Sequence, residues 1–108
     1  MIQLAEDIGY EDYRKIPLEA KYKKVLIEVA SNRKLDVAVA NEKQMKAFDE
    51  AEDAENVDID WIENIRSYDF EFEFPPEKQR HYLILWNSNE EYEDDEGAIA
   101  AYKITAIE

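Results

Sequence analysis

Cysteine is absent from this sequence of 108 residues, and glycine and histidine are scarce, at two residues and one. Without cysteine the chain has no disulfide, no thiolate metal site and no cysteine nucleophile. Because such a chain gains nothing from an oxidising compartment, we expect it to be cytoplasmic. The two glycines, Gly9 and Gly97, are too far apart in sequence to form a glycine-rich phosphate-binding loop.

Long apolar runs are also lacking. A helix that spans a bilayer needs about 20 consecutive apolar residues, and no stretch of this sequence approaches that length. The N-terminal residues lack the basic start and apolar run of a signal peptide, which again favours the cytoplasm. We therefore expect no membrane insertion, and the length predicts a single domain over residues 1–108.

Positive charge is in short supply. The sequence has 27 acidic residues and 13 basic ones, for a net charge of −14. Residues 1–40 hold seven acids and seven bases, so the whole excess lies in residues 41–108. A field of this sign repels nucleic-acid phosphates and attracts basic proteins. We expect a basic protein as the partner and no direct binding to nucleic acid.

The sequence does contain many short segments in which apolar and polar residues alternate, the pattern of strands with one buried face. In the most regular of them, Phe70, Phe72 and Phe74 alternate with acids, so we expect these rings in the core. Pro17 cannot donate to a sheet ladder, which places residues 14–19 at a sheet edge. The alternating strands are Gln3–Ile8, Tyr22–Ala30, Leu35–Ala40, Val57–Trp61, Tyr68–Phe74 and Ala98–Ile107, with a turn at Ser31–Lys34 and a connector at Ile62–Ser67. The segment His81–Asn87 is nearly all apolar, which predicts a central strand with neighbours on both sides.

One segment has helical features. Asn41 is a good N-cap, and Gln44 stands three residues later, where a capping box needs its partner. Met45 and Phe48 are spaced to share one face, so we expect a short helix docked by these two side chains. Together the segments predict an all-β protein: an antiparallel β-sandwich or jelly roll of about seven to eight strands, with one short helical insertion.

The order of segments in the C-terminal half resembles the GOLD (Golgi dynamics) domains and related small prokaryotic β-sandwich modules. The resemblance covers residues 16–108 and is carried by a Phe-rich strand (Tyr68–Phe74), the turn at Pro75-Pro76, the strand His81–Asn87 with its Tyr82-Leu83-Ile84, and a final strand at Ala98–Ile107. The turn before His81 lacks the glycine usual in that pattern. The resemblance implies a non-enzymatic module that binds proteins or membrane-associated partners, and it carries over no catalytic residue.

Residues with catalytic or ligand-binding potential are isolated. His81 is the only histidine and has no second histidine or cysteine with which to bind a metal. No serine has the Gly-x-Ser-x-Gly context of a nucleophile. Carboxylate pairs such as Asp58 and Asp60 predict a charged surface in the absence of a cleft. We therefore expect no enzyme, no cofactor and no metal.

Two alternatives remain at this stage. The acidic loop Asn87–Gly97 is rich in oxygen ligands for Ca²⁺, although it departs from EF-hand spacing, and a solvated loop is the simpler interpretation. Aromatic side chains would serve as a sugar-stacking platform if they were exposed, whereas packing in the core is the simpler interpretation. The aromatics concerned are Trp61, Tyr68, Tyr82, Trp86, Tyr92 and Tyr102.

The charge pattern favours a non-catalytic protein-interaction module that presents an acidic surface to a basic partner. The alternatives are a small acidic inhibitor, such as an immunity or anti-defence protein that mimics nucleic acid in the groove of a basic enzyme, and a Ca²⁺- or carbohydrate-binding sandwich. The sequence predicts no oligomeric state. The expected partner-binding residues are Asp69, Glu71 and Glu73 on one strand, and Glu90, Glu91, Tyr92, Glu93, Asp94, Asp95 and Glu96 in the acidic loop.

Overall fold

The computed structural model describes residues 2–9, 11–19, 23–51, 57–76, 80–88 and 97–107. These residues form six strands and one helix, and all six strands belong to a single antiparallel sheet. The elements are β1 (Ile2–Ile8), β2 (Tyr13–Leu18), β3 (Lys24–Asn41), α1 (Glu42–Glu50), β4 (Ile62–Glu73), β5 (His81–Trp86) and β6 (Ala98–Ile107).

The sheet is organised around β3, which has 18 residues. One edge of β3 pairs with β6 through residues 24–31 and then with β5 through residues 36–41. The opposite edge pairs with β4. The remaining strands extend the sheet, since β1 pairs with β6 and β2 pairs with β5, which gives the order β1-β6-β3-β5-β2 with β4 on the far side of β3.

The prediction of two strands joined by a turn at Ser31–Lys34 is wrong, because β3 passes through this segment without reversing. The segment holds neither glycine nor proline, so its backbone has no residue that demands a turn conformation. Instead, the register with β4 shifts between Ala30 and Leu35, as in a β-bulge. The Asn32 side chain accepts a hydrogen bond from the Ile99 backbone N–H at 2.8 Å, which ties the bulge to β6.

Two further predictions of boundaries fail around β4. The expected connector at Ile62–Ser67 is the first half of this strand, and Val57–Trp61 forms no strand. Asn64 adopts a left-handed conformation (φ 57°), and its backbone N–H donates to Asp36 Oδ1 at 3.0 Å. This contact joins the irregular part of β4 to β3. Because β3 is one strand and Val57–Trp61 forms none, the described residues contain six strands where seven to eight were expected.

The ends of the sheet approach one another at the start of β2. Asn87 Nδ2 donates to the Ile8 carbonyl at 3.0 Å, and an Arg14 guanidinium N–H donates to the Asp7 carbonyl at 2.5 Å. The sheet therefore curls, and its concave side encloses the main core. The all-β prediction is confirmed, whereas the two stacked sheets of a sandwich or jelly roll are not, because the described strands form one continuous sheet.

The main core lines the concave side. The prediction that β5 is a central strand is confirmed, because β5 pairs with β3 on one edge and with β2 on the other. Phe74 is buried there, and Phe70 and Phe72 are partly buried against it, as expected from the alternation. The residues of this core that are at most 1% exposed are Ile8, Ile27, Leu35, Val37, Leu83, Leu85, Ala98 and Ala100.

The predicted helix is confirmed. Asn41 accepts from the Gln44 backbone N–H at 2.8 Å, and the Gln44 side chain accepts from the Asn41 N–H at 2.9 Å, which completes the capping box. Met45 and Phe48 are buried against Ala38 and Ala40 on the convex side of the sheet, where they form a second core. Within the described residues, no helix has the length and apolar character needed to cross a membrane.

Candidate protein interface

Three of the residues expected to bind a partner lie together on β4. Side chains alternate between the two faces of a strand, so Asp69, Glu71 and Glu73 project from the convex face while Phe70 and Phe72 point to the core. All three carboxylates are exposed. At about 3.4 Å per residue, carboxylates two positions apart are separated by about 7 Å along the strand, so the three form an evenly spaced row.

A fourth carboxylate extends this row across the sheet. Glu28 on β3 lies directly opposite Asp69, and like charges at opposed positions repel one another. We call Glu28, Asp69, Glu71 and Glu73 the acidic face. Among the described residues, the lysines that stand beside these carboxylates are Lys24 and Lys103, so carboxylates outnumber ammonium groups two to one there.

The two lysines neutralise the acidic face incompletely. Lys24 Nζ lies 3.5 Å from Glu71 Oε2, and the two side chains are 39% and 53% exposed. An ion pair this exposed is worth less than about 1 kcal/mol, because water and salt screen it. Lys103 stands opposite Glu28 on β6, on the side away from Asp69. The carboxylates at the outer edge of β4 therefore stay open to a cationic ligand.

The outer edge of β4 is unpaired within the described part of the chain, where β3 is its only strand neighbour. The aromatic rings along this edge are not fully covered. Tyr68 is 40% exposed and contacts Phe70, with ring centroids 5.7 Å apart, and Phe70 and Phe72 are half-buried. The edge thus combines free backbone groups, a carboxylate row on one face and accessible aromatic surface on the other.

The second part of the expected site lies outside the described residues. It comprises Glu90, Glu91, Tyr92, Glu93, Asp94, Asp95 and Glu96, so the Ca²⁺ hypothesis for this loop stays a prediction. The two ends of the loop are described. Asn87 is fully buried and binds the Ile8 carbonyl, while Gly97 has φ +103° and lies against the same part of β1.

A polar cluster that the sequence did not reveal lies beside α1. The Tyr13 hydroxyl donates to Asp49 Oδ1, and Lys15 Nζ donates to Asp49 Oδ2 at 2.7 Å. Burial raises the pKa of Asp49, but the hydrogen bonds from Lys15 and Tyr13 outweigh this effect and leave that pKa below its ordinary value. Burial and the neighbouring Asp49 carboxylate raise the pKa of Tyr13 to about 12.

This cluster ties β2 to α1, and its geometry indicates a structural role. All three polar groups are engaged with one another, and the Tyr13 ring packs edge-on against Phe48 with centroids 4.6 Å apart. The partners are more than 30 residues apart in sequence. A pairing over that distance leaves no periodic signal, so it could not have been found from the sequence.

The aromatic residues considered as a sugar platform pack mainly in the core. Trp61 and Trp86 contact each other with centroids 5.2 Å apart, and both contact Phe48. Tyr82 is half-buried beside them and Tyr102 is buried in the main core. Core packing is thus confirmed for these four, whereas Tyr68 is exposed and Tyr92 lies outside the described residues.

His81 is buried at 6% exposure and packs between aromatic rings. Its ring centroid lies 5.1 Å from that of Phe72 and 5.8 Å from that of Phe74. Across the described residues, no three histidine, cysteine or carboxylate side chains are grouped so as to hold a metal ion. His81 therefore contributes to the packing between β4 and β5.

Comparison with known proteins adds no assignment. No protein-family model matches the chain, and no curated protein is significantly similar to it.

Proposed function

We propose that the chain is a non-catalytic protein-interaction module that binds a basic partner through the acidic face. The observation that carries this proposal is the row of exposed carboxylates Asp69, Glu71 and Glu73 on β4. The outer edge of this strand pairs with no other strand among the described residues. The net charge of −14 provides a long-range field that speeds the encounter with a cationic protein.

The acidic face is a better candidate than the polar cluster beside α1. The carboxylate of Asp49 is already bound by Lys15 and Tyr13, so it has little capacity left for a ligand. On the acidic face only Glu71 has a described ion pair, and that pair is long and exposed. A partner that brings Arg or Lys to Asp69 and Glu73 gains charge-assisted hydrogen bonds without breaking an existing one.

The test is affinity capture from the source cells with matched variants. Asp69→Asn/Glu71→Gln/Glu73→Gln removes the row, and Glu42→Gln/Glu50→Gln/Asp60→Asn removes the same number and types of exposed carboxylates elsewhere. We expect a basic protein to be retained by the wild type and the control variant, lost from the row variant, and released by salt. Equal retention by all three chains would show that the acidic face is not the interface.

A second candidate function is inhibition of a basic nucleic-acid-binding enzyme, as an immunity or anti-defence protein. The even spacing of the carboxylates along β4 favours it, since a regular row of negative charge resembles a phosphate backbone. The captured partner would then be such an enzyme, and duplex DNA or RNA would displace the chain in competition. A partner that has no affinity for nucleic acid would eliminate this candidate.

The resemblance to GOLD-like modules and the cytoplasmic location stay predictions. The first is supported by the order of β4, the turn at Pro75-Pro76, β5 and β6, and the second by the lack of cysteine. A β-sandwich in the strict sense would need a second sheet packed on the concave side.

A further inference from the structure

We propose that the partner binds as an extended basic segment that adds to the sheet as a seventh strand along the outer edge of β4. This inference rests on the proposed function and names the partner's chemistry: a strand in which Lys or Arg alternates with apolar residues. Three features of the edge lead to it, namely its backbone, its carboxylate row and its incompletely buried aromatic rings.

The backbone of β4 already has the regular, extended conformation that pairing with a further strand requires. Seven consecutive residue pairs, from Lys24 with Glu73 to Ala30 with Ser67, hold this part of β4 in regular register with β3. A regular strand paired on one edge presents its other N–H and C=O groups outward, where an added strand completes the ladder. The bulge lies beyond Ala30, so it leaves this stretch undisturbed.

The convex face of the edge specifies positive charge. Residues directly opposite one another in neighbouring strands have side chains within contact distance on the same face. A strand added beside β4 thus brings every second side chain opposite Asp69, Glu71 or Glu73. Lys or Arg at these three positions forms cross-strand ion pairs, whereas Asp or Glu is repelled.

The concave face of the same edge specifies apolar residues. The intervening side chains of an added strand lie beside Tyr68, Phe70 and Phe72. Because Tyr68 is 40% exposed and the two phenylalanines are half-buried, apolar side chains here remove aromatic surface from water. The two faces together select an alternating basic and apolar sequence.

The carboxylate row also disfavours a second copy of this chain as the occupant. Two β4 strands paired edge to edge would bring the carboxylates of one copy beside those of the other, which is unfavourable. The edge of β2 is a poorer template, because that strand has six residues and includes Pro17, which has no N–H to donate.

The experiment uses the whole chain and four synthetic peptides, and binding is measured by isothermal titration and amide hydrogen exchange. The first peptide is acetyl-Lys-Val-Arg-Val-Lys-Val-Arg-amide. The second and third have the same sequence with N-methyl groups on the valines or on the basic residues, so each keeps the charge and side chains but blocks one of the two hydrogen-bonding edges. The fourth replaces each basic residue with Glu.

We expect the first peptide to bind and to slow amide exchange within residues 67–73. The row variant Asp69→Asn/Glu71→Gln/Glu73→Gln should weaken binding about tenfold, as expected for the loss of three cross-strand ion pairs. The control variant Glu42→Gln/Glu50→Gln/Asp60→Asn should bind like the wild type. The N-methylated form that blocks the pairing edge and the Glu peptide should not bind.

The outcomes separate this inference from the function it rests on. If every N-methylated peptide binds as well as the first and β4 amides gain no protection, strand addition is wrong while the acidic interface stands. If no peptide binds but capture of the basic partner still depends on the row, strand addition is again wrong. If neither the peptides nor the captured partner respond to the row variant, both proposals are overturned.

Discussion

At the residue scale, the Asp49 carboxylate is held by the side chains of Tyr13 and Lys15, which lie more than 30 residues before it in the sequence. The hydrogen bond to Asp49 raises the pKa of Lys15, and the same contact lowers the pKa of Asp49. The stabilisation from Asp49 is therefore present above the ordinary carboxyl pKa of 3.8 and lost as the pH falls through the lower folded value. Among the described residues, no carboxylate of the acidic face has a comparable arrangement of donors around it.

The first prediction concerns Tyr13, whose pKa of about 12 exceeds the ordinary value of 10.0. Because the folded pKa is raised, its stabilising effect is complete below pH 10 and is lost as the pH rises towards 12. Asp49→Asn should lower the pKa of Tyr13 part of the way towards 10, since it removes the negative charge beside the hydroxyl but leaves burial, the larger cause, in place. An ultraviolet titration of the tyrosines measures this shift.

The control for this titration is Tyr13→Phe, which should remove a transition near pH 12 from the curve. The chain has seven tyrosines, so the variant identifies which transition belongs to Tyr13. A late transition that persists in Tyr13→Phe would mean that another tyrosine is the perturbed one.

The second prediction concerns Gly97, where β6 begins against the end of β1. Its φ of +103° suits glycine alone, and an added Cβ would lie 2.8 Å from the Ile8 carbonyl oxygen. We expect Gly97→Ala to lower the free energy of unfolding by about 1–3 kcal/mol, measured by urea denaturation. Gly9→Ala is the matched control, because its nearest neighbour is a side-chain oxygen at 3.4 Å. Equal losses in both variants would contradict a specific role for Gly97.

At the scale of elements, β3 and α1 form in different ways. The start of α1 is defined by local hydrogen bonds within Asn41–Gln44, so it forms where the sequence predicts it. The continuity of β3 is defined by three other strands, which pair with it on both edges. Pairing on either side of the polar segment Ser31–Lys34, together with the hydrogen bond from Ile99 to Asn32, holds this segment extended, although by composition it would suit a turn.

The third prediction tests the cap of α1. Asn41→Ala removes the acceptor for the Gln44 backbone N–H, and we expect a loss of about 1 kcal/mol in the free energy of unfolding. Asn41→Ser restores a side-chain acceptor at the same position and should recover most of this loss. If the two variants are equally unstable, Asn41 acts through its place in β3 and not as a cap.

On the scale of the whole molecule, the net charge of −14 opposes the compact state through self-repulsion. The strands of the acidic face bring Glu28 opposite Asp69, a pairing that costs stability in the absence of a cation. On the proposal that a basic partner binds the acidic face, binding would relieve this repulsion.

The fourth prediction follows from this repulsion. Raising sodium chloride from about 10 mM to about 200 mM at pH 7 should raise the Tm by roughly 2–5 °C, because salt screens like charges. The row variant Asp69→Asn/Glu71→Gln/Glu73→Gln should start at a higher Tm and show a smaller rise. Differential scanning calorimetry measures both, and a Tm that falls with salt would show that ion pairs such as Lys15–Asp49 dominate.

Much of the local structure could be predicted from the sequence. Alternation identified β6 and the regular half of β4, and it assigned Phe70, Phe72 and Phe74 to the core, while a nearly continuous apolar run identified β5. Strands and helices of this kind leave a period in the sequence, because each residue's face depends only on its position along the element. The exposure of Asp69, Glu71 and Glu73 followed from the same period.

The tertiary structure alone decided which strands pair and where they end. Hydrogen bonds between residues far apart in sequence decide three features of the fold. They make β3 continuous, they pair β4 with β3, and they join the described strands into one curled sheet. Alternation is identical for a central and an edge strand, so it cannot show that β4 has an open side. The sequence by itself therefore determined that the carboxylates are exposed, and the pairing of strands decided that they line an edge of the sheet that has no strand neighbour among the described residues.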